Sequence, residues 1–227
     1  HTFGLILALS RNLFHTFERT RIGNFSLDGI RGFDLKGKTL GVVGTGSIGQ
    51  HVIRIAKGFQ MEVLAYDVNH DEEAARKYGF EYVKLKELLK ASDLITLHAP
   101  LNKKTEHMIS KKEIKQMKDG AYIINTARGG LIDTDALIPA LQSGKVGGAA
   151  LDVLEEEKFV DEEAELLSDL SDEKQRKMLE NHILMTMPNV IITPHNAFNS
   201  AEALRRIEDT TIGNIKSFKD GKAQNTV

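Results

Sequence analysis

Apolar positions along this chain recur in two periods, and the changes between them divide it into elements. Phe3, Ile6, Leu7, Leu13, Phe14 and Phe17 are spaced mostly by three and four, which predicts a helix at the start. Residues 19–37 carry four glycines and mixed charge and read as irregular. A short apolar run then closes at Gly41-Val42-Val43 in a glycine-rich turn. Beyond it, Ile48, Val52, Ile55, Ala56 and Phe59 predict a helix with one buried stripe. Met61 to Tyr66 is a second short strand, ending at Asp67, so the unit is beta-alpha-beta.

The alternation continues. Residues 71–78 are polar and helical, 85–89 form a short helix, and 93–97 form a strand running into His98-Ala99-Pro100. Ser110 and Glu113 have the spacing of a capping box for a helix through Met117. Strand 121–125, helix 136–141, a cap at Gly144 and a buried small-residue strand 147–153 follow. Residues 155–180 are heavily acidic and read mostly as a solvated face. Strand character returns at 189–193. Ser200 then caps a last helix with Leu204, Ile207, Thr211, Ile215 and Phe218 facing inward, before a polar tail at 219–227. Strands alternating with helices give the fold class: α/β, with a doubly wound parallel sheet of the Rossmann kind.

The turn Gly44-Thr45-Gly46-Ser47-Ile48-Gly49 is a G-x-G-x-x-G between a strand and a helix. Gly44 permits a tight turn, Gly46 lets the backbone approach a pyrophosphate, and Gly49 lets helix and strand pack closely. The helix N-terminus contributes N–H groups and partial positive charge. Asp67 lies about 20 residues beyond the glycines, where a carboxylate accepts from ribose hydroxyls and repels a 2'-phosphate. Its bland alternative is strand termination. No arginine follows at Val68-Asn69-His70, so NAD is expected over NADP. A methyltransferase using the same turn for S-adenosylmethionine is a rival that NADH titration would separate.

Composition narrows the partners. Thirty Lys and Arg against 32 Asp and Glu give a net charge of -2, which offers no electrostatic reason to expect nucleic acid. The run from Phe3 to Leu9 is too short to span a bilayer, and no membrane partner is expected. Without cysteine there is no thiol chemistry; a reducing compartment fits, with cytoplasm as the default. No metal-ligand spacing occurs, and none of the histidines forms an H-E-x-x-H. The sequence starts at His1 without a capping signal for its first helix, which points to a fragment or a processed product.

In a parallel sheet, ligands bind beyond the carboxyl ends of the strands. The residues there are Gly44, Asp67, His98, Arg128, the 153–157 corner and His195. Reduction of a 2-oxo acid needs a fixed cation for the carboxylate, a proton donor at the carbonyl oxygen and a carboxylate that keeps the donor charged. Arginine suits the first task through its planar fork. Arg128 sits uncrowded before two glycines, although a surface role is its alternative. His195 could also simply cap a loop, and His98 could be satisfied by backbone. Of Glu155, Glu156 and Glu157, at most one should point inward, leaving the others in solvent.

Through HTFGLILALSRN, GVVGTGSIGQ, LHAPL, NTARGGLIDTDALIPALQSGKVGGAALDV and PNVIITPHNAF, nearly the whole chain resembles the D-2-hydroxyacid dehydrogenase family. That resemblance implies Arg128 as the substrate arginine, His195 as the acid/base and Glu157 as its carboxylate partner. It also implies Asp152 at the nicotinamide carboxamide, with Gly46, Ser47, Ile48, Asp67, His98 and Thr126 lining an NAD cleft. TPHNAF and the long acidic stretch are most similar to the D-lactate dehydrogenase branch, which implies a small 2-oxo or 2-hydroxy acid as substrate. The helix after HTFGLILALSRN and the arm beyond it imply a homodimer. An NAD-sensing corepressor-type protein shares the fold and the same residues, so turnover against NADH-dependent association would separate the two. By this resemblance residues 1–198 are the NAD-binding domain, and 199–227 are a helix and tail returning toward a substrate domain largely absent from the chain. The expectation is a polypeptide that binds NAD with little turnover alone.

Overall fold

Neighbouring residues on the central strands point into different cores, which explains why those strands are largely apolar on both faces. The computed structural model describes residues 1–155, 172–222 and 224–225. In chain order the first elements are α1 (Thr2–Ser10), α2 (Leu13–Arg21), β1 (Thr39–Val43), α3 (Ser47–Gly58), β2 (Glu62–Tyr66), α4 (Glu72–Tyr78), β3 (Glu81–Tyr82) and α5 (Leu85–Ala91). There follow β4 (Leu94–Leu97), α6 (Lys111–Gln116), β5 (Ala121–Asn125), α7 (Thr134–Gln142), β6 (Val146–Leu151), α8 (Asp172–Thr186), β7 (Val190–Ile192) and α9 (Ala201–Lys219). The chain divides into two compact units, His1–Pro194 and His195–Val227.

In the first unit a seven-stranded, wholly parallel sheet has the order β3-β2-β1-β4-β5-β6-β7. Val42, Leu94, Ile124 and Ala150 face a core with Phe3, Ile6, Val52, Ile53 and Ala56 from α1 and α3. Their neighbours Val43, Ile95, Ile123 and Ala149 face Leu88, Ile114, Leu137, Leu141 and Leu184 from α5, α6, α7 and α8. With a period of two and helices on both faces, each strand needs apolar side chains on both sides. Each fully buried Leu or Ile stabilises the unit by roughly 1.5–3 kcal/mol. The strand order reverses between β1 and β4, and a doubly wound sheet opens its ligand crevice at such a point.

Several expectations are corrected. The first apolar segment is two helices, because Asn12 adopts a left-handed conformation (φ 49°) between them. The buried stripe of α3 is Gly49, Val52, Ile53 and Ala56; Ile48, Ile55 and Phe59 are exposed. Helical spacing could not choose between these overlapping stripes. Ser110 donates its hydroxyl to the Glu113 carboxylate and does not cap α6. The described part of the acidic segment includes α8, where Met178, Glu180, Asn181 and Leu184 are buried.

In the second unit, Ser200 caps α9 by accepting from the Ala203 N–H at 3.2 Å, as expected. The stripe predicted to face inward does not: no residue of α9 is buried, and Ile207, Ile215 and Phe218 are largely exposed. Periodicity identifies an apolar face but supplies no surface to cover it.

Candidate functional site

Because all seven strands run the same way, their carboxyl ends form one edge, and chain direction alone gathers the candidates of the first unit there. Gly44 follows β1, Asp67 follows β2, His98 follows β4, Thr126 to Arg128 follow β5, and Asp152 to Glu155 follow β6.

The three glycines of the turn have separate physical reasons. Gly44 has φ +92°, and a Cβ there would lie 2.7 Å from the carbonyl carbon and oxygen of His98. At Gly49 a Cβ would sit 2.0 Å from the Gly44 oxygen, so α3 can reach β1 this closely only without a side chain. Gly46 is different: nothing lies within 4 Å of a Cβ there. No side chain caps α3, leaving its first-turn N–H groups directed toward this open side. Ser47 and the exposed Ile48 begin the helix beside it. Open space, helical donors and an apolar side chain fit a dinucleotide pyrophosphate.

Asp67 is drawn into the same turn. Its Oδ2 accepts from the Thr45 N–H (2.6 Å) and hydroxyl (3.1 Å), and its Oδ1 accepts from the Asn69 N–H (3.0 Å). Burial pushes its pKa up, but donors from Asn69, Thr45 and Val68 outweigh that and hold the carboxyl below its ordinary range. Each oxygen retains acceptor capacity for a ribose hydroxyl. Tyr82 extends the arrangement: its hydroxyl pairs with Thr45 Oγ1 at 2.8 Å and accepts from the Asp71 N–H at 3.1 Å, while His70 stacks on its ring. Sequence reading missed Tyr82, since a two-residue strand has no periodic signal.

Across the strand reversal, His98 Nε2 pairs with Thr96 Oγ1 at 2.9 Å, and burial pushes its pKa down to about 4. The imidazole is therefore neutral near pH 7. After β5, Asn125 shapes the next loop by donating to the Arg128 carbonyl (2.8 Å) and accepting from the Ala127 N–H (3.1 Å). Arg128 is exposed, with Nη1 donating to the Ala127 carbonyl at 2.6 Å. Thr126 pairs through its hydroxyl with Thr2 at 3.0 Å. Asp152 is fully buried, receives the Thr193 hydroxyl and lies 3.1 Å from His1 Nε2.

Of the three adjacent acids, Glu155 is folded inward, against His107, Thr134 and Lys177. Glu157, expected as the carboxylate partner, lies outside the described residues, as does Glu156. His195 begins the second unit in a left-handed conformation (φ 48°), its ring edge-on to Phe198 with centroids 6.1 Å apart. The structure therefore brings the glycine turn, Asp67, His98, Thr126, Arg128 and Asp152 to one edge, while His195 belongs to the other unit. Among the described residues, no three His, Cys, Asp or Glu side chains converge as a metal site, and no helix is long and apolar enough to cross a membrane.

The sequence model for the NAD-binding domain of D-isomer specific 2-hydroxyacid dehydrogenases matches residues 3–197. A 2-hydroxyacid dehydrogenase homolog of Schizosaccharomyces pombe is 43% identical over 96% of this chain and 64% of its own length. The D-lactate dehydrogenase of Escherichia coli is 40% identical over 98% of this chain and 65% of its own. Among solved structures, the Aquifex aeolicus D-lactate dehydrogenase complexed with NAD and lactic acid superposes with a TM-score of 0.88. It is 44% identical over 97% of this chain and 65% of its own. The chain thus spans a little under two thirds of the length of the curated relatives it matches.

Proposed function

The chain belongs to the D-isomer specific 2-hydroxyacid dehydrogenase family, as its NAD-binding domain, and from that premise we propose that the full-length protein reduces a small 2-oxo acid with NADH. A D-lactate dehydrogenase-like preference is the finer reading, supported by the E. coli and A. aeolicus relatives. NAD supplies the hydride-transfer chemistry when bound. Gly44, Gly46 and Gly49 at the start of α3, with Ser47 and Ile48 beside them, would hold its pyrophosphate, and Asp67 would accept from the adenosine ribose. Neutral His98, Thr126 and Asp152 would hold the nicotinamide half, with Asp152 as the residue for its carboxamide.

Arg128 carries the substrate end. An exposed guanidinium beyond β5, on the edge that holds the glycine turn, is the observation on which this reading rests. A planar fork of donors holds the acid's carboxylate bidentately and favours the negative charge growing on the carbonyl oxygen during reduction. His195 gives that oxygen its proton, with Glu157 as its carboxylate partner. Two copies associate through α2 and the arm after it, where Phe14, Phe17 and Phe25 are exposed; a monomeric mass in solution would contradict this. The default location is the cytoplasm, which absence of the protein from a cytosolic fraction would refute.

NADH oxidation by the full-length protein over a panel of 2-oxo acids tests the function. His195→Ala should lower kcat by about 10² to 10⁴, the usual worth of a placed acid/base. A rate near wild type would remove His195 from the mechanism, and no turnover on any acid would refute the proposed function.

A further inference from the structure

Among the described residues, Arg128 bonds only locally through Nη1, to the carbonyl of the residue before it, so its aim depends on how rigidly its loop is held. That loop is fixed from two sides by the corner after β6. At Gly129 a Cβ would lie 2.0 Å from the Leu154 oxygen and 2.5 Å from the Glu155 nitrogen, so the backbones are in close contact immediately after Arg128. Five residues further on, Glu155 Oε2 accepts the Thr134 N–H at 3.0 Å. Its other oxygen receives His107 Nε2 at 2.6 Å, and the His107 backbone N–H donates to the Gly130 carbonyl at 2.8 Å. Lys177 of α8 closes the arrangement, with Nζ at 3.2 Å from Glu155 Oε2.

A single carboxylate thus grips both ends of the segment following Arg128, directly at Thr134 and through His107 at Gly130. Its side chain and that of Lys177 are 10% and 14% exposed, so water competes poorly for these bonds. Burial pushes the Glu155 pKa up, but Thr134, His107 and Lys177 outweigh that and keep it ionised below the ordinary carboxylate range. We propose that Glu155 is a positioning residue, holding the Arg128 loop in register for the carboxylate of a 2-oxo acid, an inference that rests on the substrate role given to Arg128. A misplacement of about 1 Å in such a group can cost on the order of 10² in rate.

The test uses the full-length protein with pyruvate and NADH. Glu155→Gln keeps the shape and an acceptor for Thr134 but loses the charge shared by His107 and Lys177. It should raise the KM for pyruvate about tenfold while leaving the NADH Kd within about twofold, because the glycine turn is untouched. His107→Ala removes one grip and should raise KM by about threefold, which keeps the inference testable if Glu155→Gln folds poorly. An unchanged KM in both, or KM and NADH Kd rising together as for a general loss of structure, would overturn it. Arg128→Met distinguishes the failures. If it raises KM steeply while the Glu155 and His107 variants do not, only the positioning role is lost. If it leaves KM unchanged, or wild type reduces no 2-oxo acid, the reading of the site falls and this inference with it.

Discussion

The two halves of the strand edge are shaped by opposite means. At β1 the shape comes from atoms left out: Gly44 and Gly49 leave no room for a Cβ against His98 and the Gly44 carbonyl. At β5 and β6 it comes from atoms put in: Asn125, Glu155, His107 and Lys177 hold the Arg128 loop by hydrogen bonds and charge. Steric fit fails abruptly and is indifferent to pH, whereas a held charge can be weakened by degrees. The difference suits the two ligands proposed here, a cofactor diphosphate gripped by backbone and a substrate carboxylate gripped by a side chain.

The sharpest way to break the comparison is at the glycines. Gly49→Ala places a methyl 2.0 Å from a carbonyl oxygen, so α3 must move off β1. We expect about 3 kcal/mol of lost stability and a rise of a hundredfold or more in the NADH Kd, read by denaturant unfolding and fluorescence titration. Gly46→Ala is the control, since its methyl meets no protein atom within 4 Å and its φ of -63° suits alanine. Stability should hold within about 1 kcal/mol while NADH binding still weakens, because only a ligand would occupy that space. Wild-type affinity in Gly46→Ala would move the pyrophosphate elsewhere.

A smaller effect qualifies the claim that the steric half ignores pH. His98, against which Gly44 packs, is neutral in the folded chain down to about pH 4, whereas in the unfolded chain it takes up a proton near 6.5. A depressed folded pKa gives stability that is fully present above 6.5 and lost as pH falls toward 4, at most about 3 kcal/mol. Denaturation at pH 7 and pH 4.5 should show wild type losing more stability than His98→Gln. Equal losses would mean that burial does not keep the imidazole neutral. Despite burial, the Glu155 carboxyl is held below its ordinary range by Thr134, His107 and Lys177, so its contribution is present above that ordinary value and lost only as pH falls below it. At pH 5 the His98 side should therefore loosen before the Glu155 corner does.

The same contrast explains what the sequence revealed. Gly44 and Gly49 were legible because close backbone contact admits almost one residue type at each, and with Gly46 they lie within six positions. Parallel strands and their common edge were legible because burial on both faces leaves apolar runs such as Leu40 to Val43. The Glu155 grip was not, since Thr134, His107 and Lys177 stand 21, 48 and 22 residues away and each is an ordinary residue in an ordinary place. Glu155 also looked like one more acid in a charged run. The Ile48, Ile55 and Phe59 error has a related cause: periodicity states that a face is apolar, and only the packing of α3 on β1 and β2 selects which face is covered.

Asp67 lies between the two modes, and its substitution has the smallest expected effect. Its carboxylate already serves the turn through the Thr45 N–H, so removing the whole side chain would confuse ribose recognition with collapse of the turn. Asp67→Asn keeps an oxygen for Thr45 and takes away the charge. Loss of a charged acceptor for the ribose hydroxyls costs about 1–2 kcal/mol in NADH affinity, and the same loss ends repulsion of a 2'-phosphate. The NADH over NADPH preference should consequently fall about tenfold, measured as the ratio of their Kd values, with unfolding stability nearly preserved. A preference that stays constant while stability drops would make Asp67 a residue of the turn alone, leaving the ribose to another partner on this edge.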